Sequence, residues 1–544
     1  MSTARTLWDA TGNVPVRHPQ RFDQSDDKRN VENNHMSSIS LSARLEFQKI
    51  PFGKKKEAHL LITLEGQKFQ GERKPLSLAA VIDVSGSMAG EKIEYAKKSL
   101  RKLVEHMSDQ DTLAILAFTD DVFVVTEPAR MTQDAKDKAI QEIAKLRDLG
   151  GTNLSGATLE GYNAIRKAVE KKLGGSIERT FLFTDGQPTA GDRSFEGLVE
   201  IAKNRKPEGC GLTCFGYGSD YNKDLMTAMT KAGGGNEYHI TTPDQAPAAF
   251  GREIGGLLSC VAQAVKVTIK TKPDVKIKEV MNDFDVKGND DETEAVISVD
   301  DVYGSEKRRL LVRLELPAMD KSGHAFKLAD VKVDFEDLVA KEARSEEIPV
   351  KVEYVKEADA DKESDKEVLE QIAVQKAAKA QEEAIELAQK GNYAGAQQMV
   401  MQASAFCASV GTPFAASVAG DLDKQVQPWL SAQKFQKGGA HYLRSNAGSY
   451  SRGRGQTVGA SHLYNTAEQT ETEMSFSKPD VDDPQVTLGP AVLGPGQMMT
   501  MPPAFLQNGP VVPGKGGNLF PPVPSAPKIQ KPAAPKLSKK RTRR

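Results

Sequence analysis

Ala79-Ala80-Val81-Ile82-Asp83-Val84-Ser85-Gly86-Ser87-Met88 is an apolar run that ends in a carboxylate, with two hydroxyls following at two-residue spacing. The apolar part has the length of a buried strand, and the polar triplet then lies in the loop leaving its C-terminal end. In open parallel α/β sheets, ligands bind at that edge. One carboxylate and two hydroxyls are all oxygen donors, a set that suits a hard divalent ion retaining some of its waters.

Around this stretch, residues 76–258 alternate apolar runs with helical periods. Strands are expected at Leu76–Val84, Thr112–Phe118, Val122–Thr126, Thr180–Thr184, Leu212–Tyr217 and Asn236–Ile240. Between them Ile93, Ala96, Leu100, Leu103 and Val104 share one helical stripe, and Ile140, Ile143, Ala144 and Leu146 another. Further helices are expected at 153–171, 194–204 and about 247–258. Such alternation predicts a mostly parallel sheet with helices on both faces.

The flanks read differently. Residues 1–36 are polar and read as a flexible N-terminal segment. Residues 37–75 hold two alternating segments, Ile39–Phe47 and Ala58–Leu64, separated by turn residues, and read as a strand pair. Residues 259–356 carry short alternating strands, as in Val265-Lys266-Val267-Thr268-Ile269 and Leu310–Leu316, which predict an antiparallel β-sandwich. If the early strands join that sandwich, the α/β domain is inserted in it. Residues 357–435 begin as an acidic hinge and continue as an Ala-, Glu- and Gln-rich helical hairpin with a third helix near 412–434. Residues 436–544 read as a disordered tail, rich in Pro and Gly at 484–528. Its last seventeen residues carry eight Lys or Arg and no acid, which points to contact with an anionic surface or to nuclear import in a eukaryote.

Composition narrows the function classes. The 544 residues carry 73 basic and 74 acidic side chains, so no global field draws the chain to nucleic acid or membrane. Four cysteines, Cys210, Cys214, Cys260 and Cys407, are too few for a disulfide framework and read as small buried hydrophobes. No apolar stretch is long enough to span a bilayer, and the first residues lack an apolar signal core, so a cytoplasmic location is expected. There is no Gly-Lys-Ser/Thr phosphate loop, HExxH or GxSxG. His106 and His239 are placed as structural or exposed residues. The chain therefore does not read as an enzyme. A metal-assisted hydrolase would need a general base, for which only Asp185 or Asp120 could be invoked.

Two more segments belong with the opening triplet. Gly150-Gly151-Thr152-Asn153 offers a hydroxyl on a loop before a helix, and Phe181-Leu182-Phe183-Thr184-Asp185-Gly186 is a second apolar strand ending in a carboxylate. Together they nominate Asp83, Ser85, Ser87, Thr152 and Asp185. Asp-x-Ser-x-Ser, then Gly-Gly-Thr-Asn, then Thr-Asp-Gly resembles the metal-ion-dependent adhesion site of von Willebrand factor A domains, over about residues 76–258. The resemblance implies that Ser85, Ser87 and Thr152 touch a Mg²⁺ ion (or Mn²⁺ or Ca²⁺) through their hydroxyls. Asp83 and Asp185 would hold it largely through waters. A partner protein's Asp or Glu carboxylate would fill the open position, reached by loops around Gly86, Met88, Asn153 and Gly186. A helix at 247–258 bearing Phe250, Ile254, Leu257 and Leu258 would pass the event to the sandwich, although core packing alone explains that stripe.

Asp301–Val312, the helical hairpin and Ser451-Arg452-Gly453 resemble modules that follow the A domain in certain intracellular and bacterial proteins. Plant relatives of that layout carry a RING finger, but residues 1–75 contain no cysteine, so ligase activity is not implied. The expected function is metal-dependent protein binding. The alternative is a structural or assembly subunit that uses the A domain as an interaction module.

Overall fold

A computed structural model of the chain describes residues 37–477 except 69–73, 149, 176, 205–208, 219–220, 241–244, 320–322, 427–434, 436–439 and 455–462. The N-terminal segment 1–36, the Pro/Gly-rich stretch and the basic end lie outside the described residues.

The chain starts with β1 (Ile39–Leu45), β2 (Lys49–Pro51) and β3 (Lys56–Gly66). It then enters the α/β domain: β4 (Leu76–Asp83), α1 (Glu91–His106), β5 (Thr112–Phe118), β6 (Val122–Arg130), α2 (Gln133–Lys145), α3 (Leu154–Glu170) and β7 (Ile177–Thr184). It continues with α4 (Phe195–Lys203), β8 (Gly211–Tyr217), α5 (Lys223–Gly233), β9 (Glu237–Ile240) and α6 (Gln245–Leu258). The sheet order is β6-β5-β4-β7-β8-β9, parallel except for β6, which pairs antiparallel at one edge. All eight residues of β4 are buried, as a central strand covered on both faces requires. Ile93, Leu100, Ile143, Phe250 and Ile254 from α1, α2 and α6 cover one face. Leu154, Ile165, Leu198 and Met226 from α3, α4 and α5 cover the other. Phe250, Ile254 and Leu257 are thus core residues. Chain order reverses direction between β4 and β7, which places a topological switch point there.

From α6 the chain passes directly into β10 (Cys260–Thr271), then β11 (Lys276–Val280), β12 (Asp285–Gly288), β13 (Glu294–Tyr303), β14 (Lys307–Leu316), β15 (Gly323–Asp337) and β16 (Glu342–Val355). One sheet runs β1-β3-β14-β11 and the other β12-β13-β10-β15-β16-β2. Leu60, Ile62, Leu310 and Val312 of the first share a core with Val267, Ile269, Val331 and Val333 of the second. β3 precedes the α/β domain and β10 follows it, and they lie in different sheets. The α/β domain is therefore an insertion in a two-sheet sandwich.

The helical part comprises α7 (Lys366–Gln389), α8 (Tyr393–Val410) and α9 (Pro413–Val426). Asp365 caps α7 by accepting from the Glu367 and Val368 N–H groups. Val368 and Ile372 of α7 rest on Leu61 and Leu311 of the sandwich.

Order does not end near 436 as the composition predicted. Helices α10 (Ala440–Arg452) and α11 (Ala467–Phe476) follow. Polar, glycine-containing α10 is helical because its Leu443, Ala447 and Tyr450 join the alanine-rich core of α7–α9. Helix α11 lies on α6, where a Cβ on Gly251 would run into the Glu473 backbone. Arg252 reaches Glu473 at 3.3 Å, and the Phe476 ring stacks on His106 with centroids 3.8 Å apart. The two segments singled out on either side of the helical part also meet. Arg308 donates to the Arg452 carbonyl at 2.8 Å, and the Asp283 N–H donates to Ser451 Oγ at 2.7 Å.

Candidate functional site

The register of β4 against β7 pairs Ile82 with Phe183, so Asp83 and the Thr184-Asp185 pair leave the sheet side by side at the switch point. Asp83 is fully buried. Its Oδ1 accepts the Ser85 N–H at 2.9 Å, and its Oδ2 accepts the Thr184 hydroxyl at 2.6 Å. Burial pushes this carboxyl up to about 6, against the two hydrogen bonds and with a push from the Asp185 charge. The Thr184 hydroxyl in turn accepts the Gly186 N–H at 2.9 Å. Gly186 has φ +72° and Met226 Cγ 3.3 Å from where a Cβ would stand, so a side chain here would be both strained and crowded.

Ser85 and Ser87 place their Oγ atoms 3.0 Å apart across a single helical turn, Gly86–Met88. The Gly86 N–H donates to the Gly150 carbonyl at 3.1 Å, which brings the glycine loop of Thr152 to the same edge. Thr152 is buried; its N–H donates to Thr189 Oγ1 at 2.8 Å, and its carbonyl accepts the N–H groups of Thr189 and Ala190. Asp185 is also fully buried. Its Oδ2 lies 3.1 Å from Lys92 Nζ, and its Oδ1 has no hydrogen-bond partner among the described residues. All five nominated residues therefore gather at one sheet edge, Asp83 as the last residue of β4 and the other four beyond the strand ends. Of these, Ser87 alone is exposed, so the group opens to solvent on its side.

The expected docking loops need correction at three positions. Met88 is fully buried in the core under the sheet, because an apolar side chain at the end of that turn points inward. Gly186 is buried beside Asn222. The Asn153 side chain caps α3, accepting the Gly156 N–H at 2.9 Å and donating to the Asp120 carbonyl at 3.0 Å. The open rim is Gly86, Ser87, Ala89 and Gly90.

Three participants escaped the sequence reading. Thr184 holds Asp83, and its place just before Asp185 in the quoted motif was the available signal. Asp120, considered only as a remote base, instead receives the Gly151 N–H at 2.9 Å and braces the Thr152 loop. Lys92 stands in the first turn of α1, where no spacing pattern marks it.

The donors fit a hard divalent ion: three hydroxyls, two carboxylates, and one buried carboxylate oxygen left without a hydrogen bond. Among the described residues no cluster of three or more His, Cys, Asp or Glu side chains offers a metal site of the other kind. None of the described helices is long and apolar enough to cross a membrane.

The domain family model described as "von Willebrand factor type A domain" matches residues 76–239. Residues 76–239 form a von Willebrand factor type A domain. A solved von Willebrand factor type A protein from Catenulispora acidiphila superposes with a TM-score of 0.60 at 16% identity, covering 76% of this chain and 97% of that one. At that identity the likeness concerns the fold, and it extends beyond the A domain. The chain is 29% identical over 238 residues to the uncharacterized protein YfbK of Escherichia coli, covering 43% of this chain and 40% of YfbK. It is 30% identical over 158 residues to human inter-alpha-trypsin inhibitor heavy chain H3, covering 28% of this chain and 18% of that protein. The chain thus spans less than half the length of these curated relatives. Members of the A-domain family mediate protein–protein interactions.

Proposed function

We propose that the A domain captures a partner protein by presenting a divalent cation, Mg²⁺ or one of its oxygen-seeking substitutes Mn²⁺ and Ca²⁺, to an Asp or Glu carboxylate of that partner. Ser85, Ser87 and Thr152 would hold the ion through hydroxyls, with Asp83 and Asp185 behind them. Few direct carboxylates leave such an ion electrophilic, so it favours an incoming anionic oxygen.

The observation that carries this reading is Asp185 Oδ1, a buried carboxylate oxygen without a hydrogen bond at the sheet's switch point, next to paired serine hydroxyls. A buried acceptor left unmade costs about 1–3 kcal/mol, and a cation relieves that cost. Each Asp83 oxygen accepts one hydrogen bond, from Ser85 and from Thr184, which fixes the carboxylate and leaves a second acceptor site on each oxygen for the waters around an ion.

The test is a partner pull-down with wild type and Asp83→Ala, each with and without a chelator. Retention only by wild type with metal supports the mechanism. Equal retention in all four conditions rules the metal bridge out and favours an assembly subunit that binds through other surfaces.

A further inference from the structure

We infer that Lys92 is a resident counter-cation of the site, so that a divalent ion enters by displacing its ammonium group from Asp185. The inference rests on the metal reading above and names how that same site is regulated.

Lys92 Nζ stands 3.1 Å from Asp185 Oδ2, with the lysine side chain 20% exposed and the aspartate fully buried. The pair is therefore held at the mouth of the site rather than loose on the surface. Lysine is an unfavourable choice at this point of the chain. It is the second residue of α1, whose N-terminal end carries the positive pole of the helix dipole. Glu91 and Glu94 in the same turn are the residues that a helix start favours. The lysine stem folds back from that turn onto the buried carboxylate of Asp185.

Two carboxylates, Asp83 and Asp185, lie fully buried at this edge. An ammonium and a divalent ion satisfy the same need there, and they cannot both sit against Asp185 without repelling each other across a poorly screened gap. The lysine side chain is long and flexible, and its open side faces solvent, so it can swing out when the ion arrives. The exchange sets a threshold of metal concentration below which no partner is captured.

The experiment is isothermal titration of the full chain with MgCl₂ and MnCl₂, for wild type, Lys92→Met and Lys92→Arg. Thermal unfolding of each is measured with and without metal. Removing a like charge beside the incoming ion is expected to make Lys92→Met bind metal at least about tenfold more tightly. Its unfolding temperature should fall without metal and recover with it. Lys92→Arg should stay close to wild type. Equal metal affinity in wild type and Lys92→Met overturns the displacement while leaving the metal site standing. No metal binding by any of the three overturns both.

Discussion

Arg454 grips Glu306 from 148 positions further along the chain, Nε to Oε1 at 2.8 Å and Nη2 to Oε2 at 3.1 Å. The same guanidinium lies 4.1 Å from the Tyr303 ring centroid and donates to the Asp301 carbonyl at 2.6 Å. Its Nη1 reaches the Asn236 side chain of the A domain at 3.4 Å. One residue just past α10 thus joins the C-terminal helices, the sandwich and the A domain. The bidentate pairing holds the Glu306 carboxyl below the usual range despite its burial, with Arg308 contributing the larger charge effect.

Breaking that pin leaves a buried carboxylate without its fork. Arg454→Met is expected to cost about 3–5 kcal/mol in urea unfolding. The double variant Arg454→Met/Glu306→Gln should recover part of this loss. A loss of under about 1 kcal/mol for the single change would show that the contact is dispensable.

Thr184→Val removes the donor to Asp83 Oδ2 while keeping the shape of the side chain. The expected loss is about 1–3 kcal/mol, the cost of an unmade bond to a buried acceptor. Thermal unfolding measures it directly, and a shift within error of wild type would mean that water takes the hydroxyl's place.

Lys223 is buried in the A domain within 4.0 Å of Glu237. Burial pulls its ammonium down to about 8, aided by Arg444 and Arg452 and opposed by Glu237 and Asp224. The folded state therefore holds fewer protons on this lysine than the unfolded state, for which the ordinary value of 10.5 applies. Stability must rise with pH through that window. Below about 8 the full cost is present, and it is relieved progressively toward 10.5. Unfolding free energies of wild type and Lys223→Met should converge in favour of wild type between pH 8 and 10, by about 1.4 kcal/mol per pH unit at most. A constant difference across that range would contradict the assignment.

Gly251→Val places a branched side chain where the backbone of α11 lies against α6. Overpacking of this kind costs about 1–3 kcal/mol. The specific expectation is local release: hydrogen exchange should accelerate in 467–476 before the A domain core loosens. Uniform acceleration across the chain would show that the two helices do not separate as a unit.

The contrast between α3 and α10 shows what a sequence can and cannot declare. The alternation of apolar runs with helical periods led to a helix at 153–171 against the observed Leu154–Glu170. Helix α10 is spelled Ala-His-Tyr-Leu-Arg-Ser-Asn-Ala-Gly-Ser-Tyr-Ser-Arg, and its composition alone reads as loose. Its helicity is set by burial of Leu443, Ala447 and Tyr450 against distant helices. At the site, Asp83, Ser85, Ser87, Thr152 and Asp185 were nominated because they are oxygen donors at or just beyond two strand ends and on a glycine loop before a helix. Lys92 was not, since a lysine in a first helical turn ordinarily faces water.

The alternation of strands and helices in the A domain, the short alternating strands on either side of it, and the oxygen-rich loop after Ile82 follow from local pattern, whereas the pairing of β3 with β14 decided that the A domain is inserted in the sandwich. Periodicity and polarity are written residue by residue along the chain. Tertiary structure alone decided that Asp83 is satisfied by Thr184, that Lys92 turns onto Asp185, that Met88 is buried, and that Arg454 closes on Glu306. Those are pairings between residues that share no sequence neighbourhood. Burial makes each of them matter, because a polar group removed from water must find its partner wherever the fold has put one.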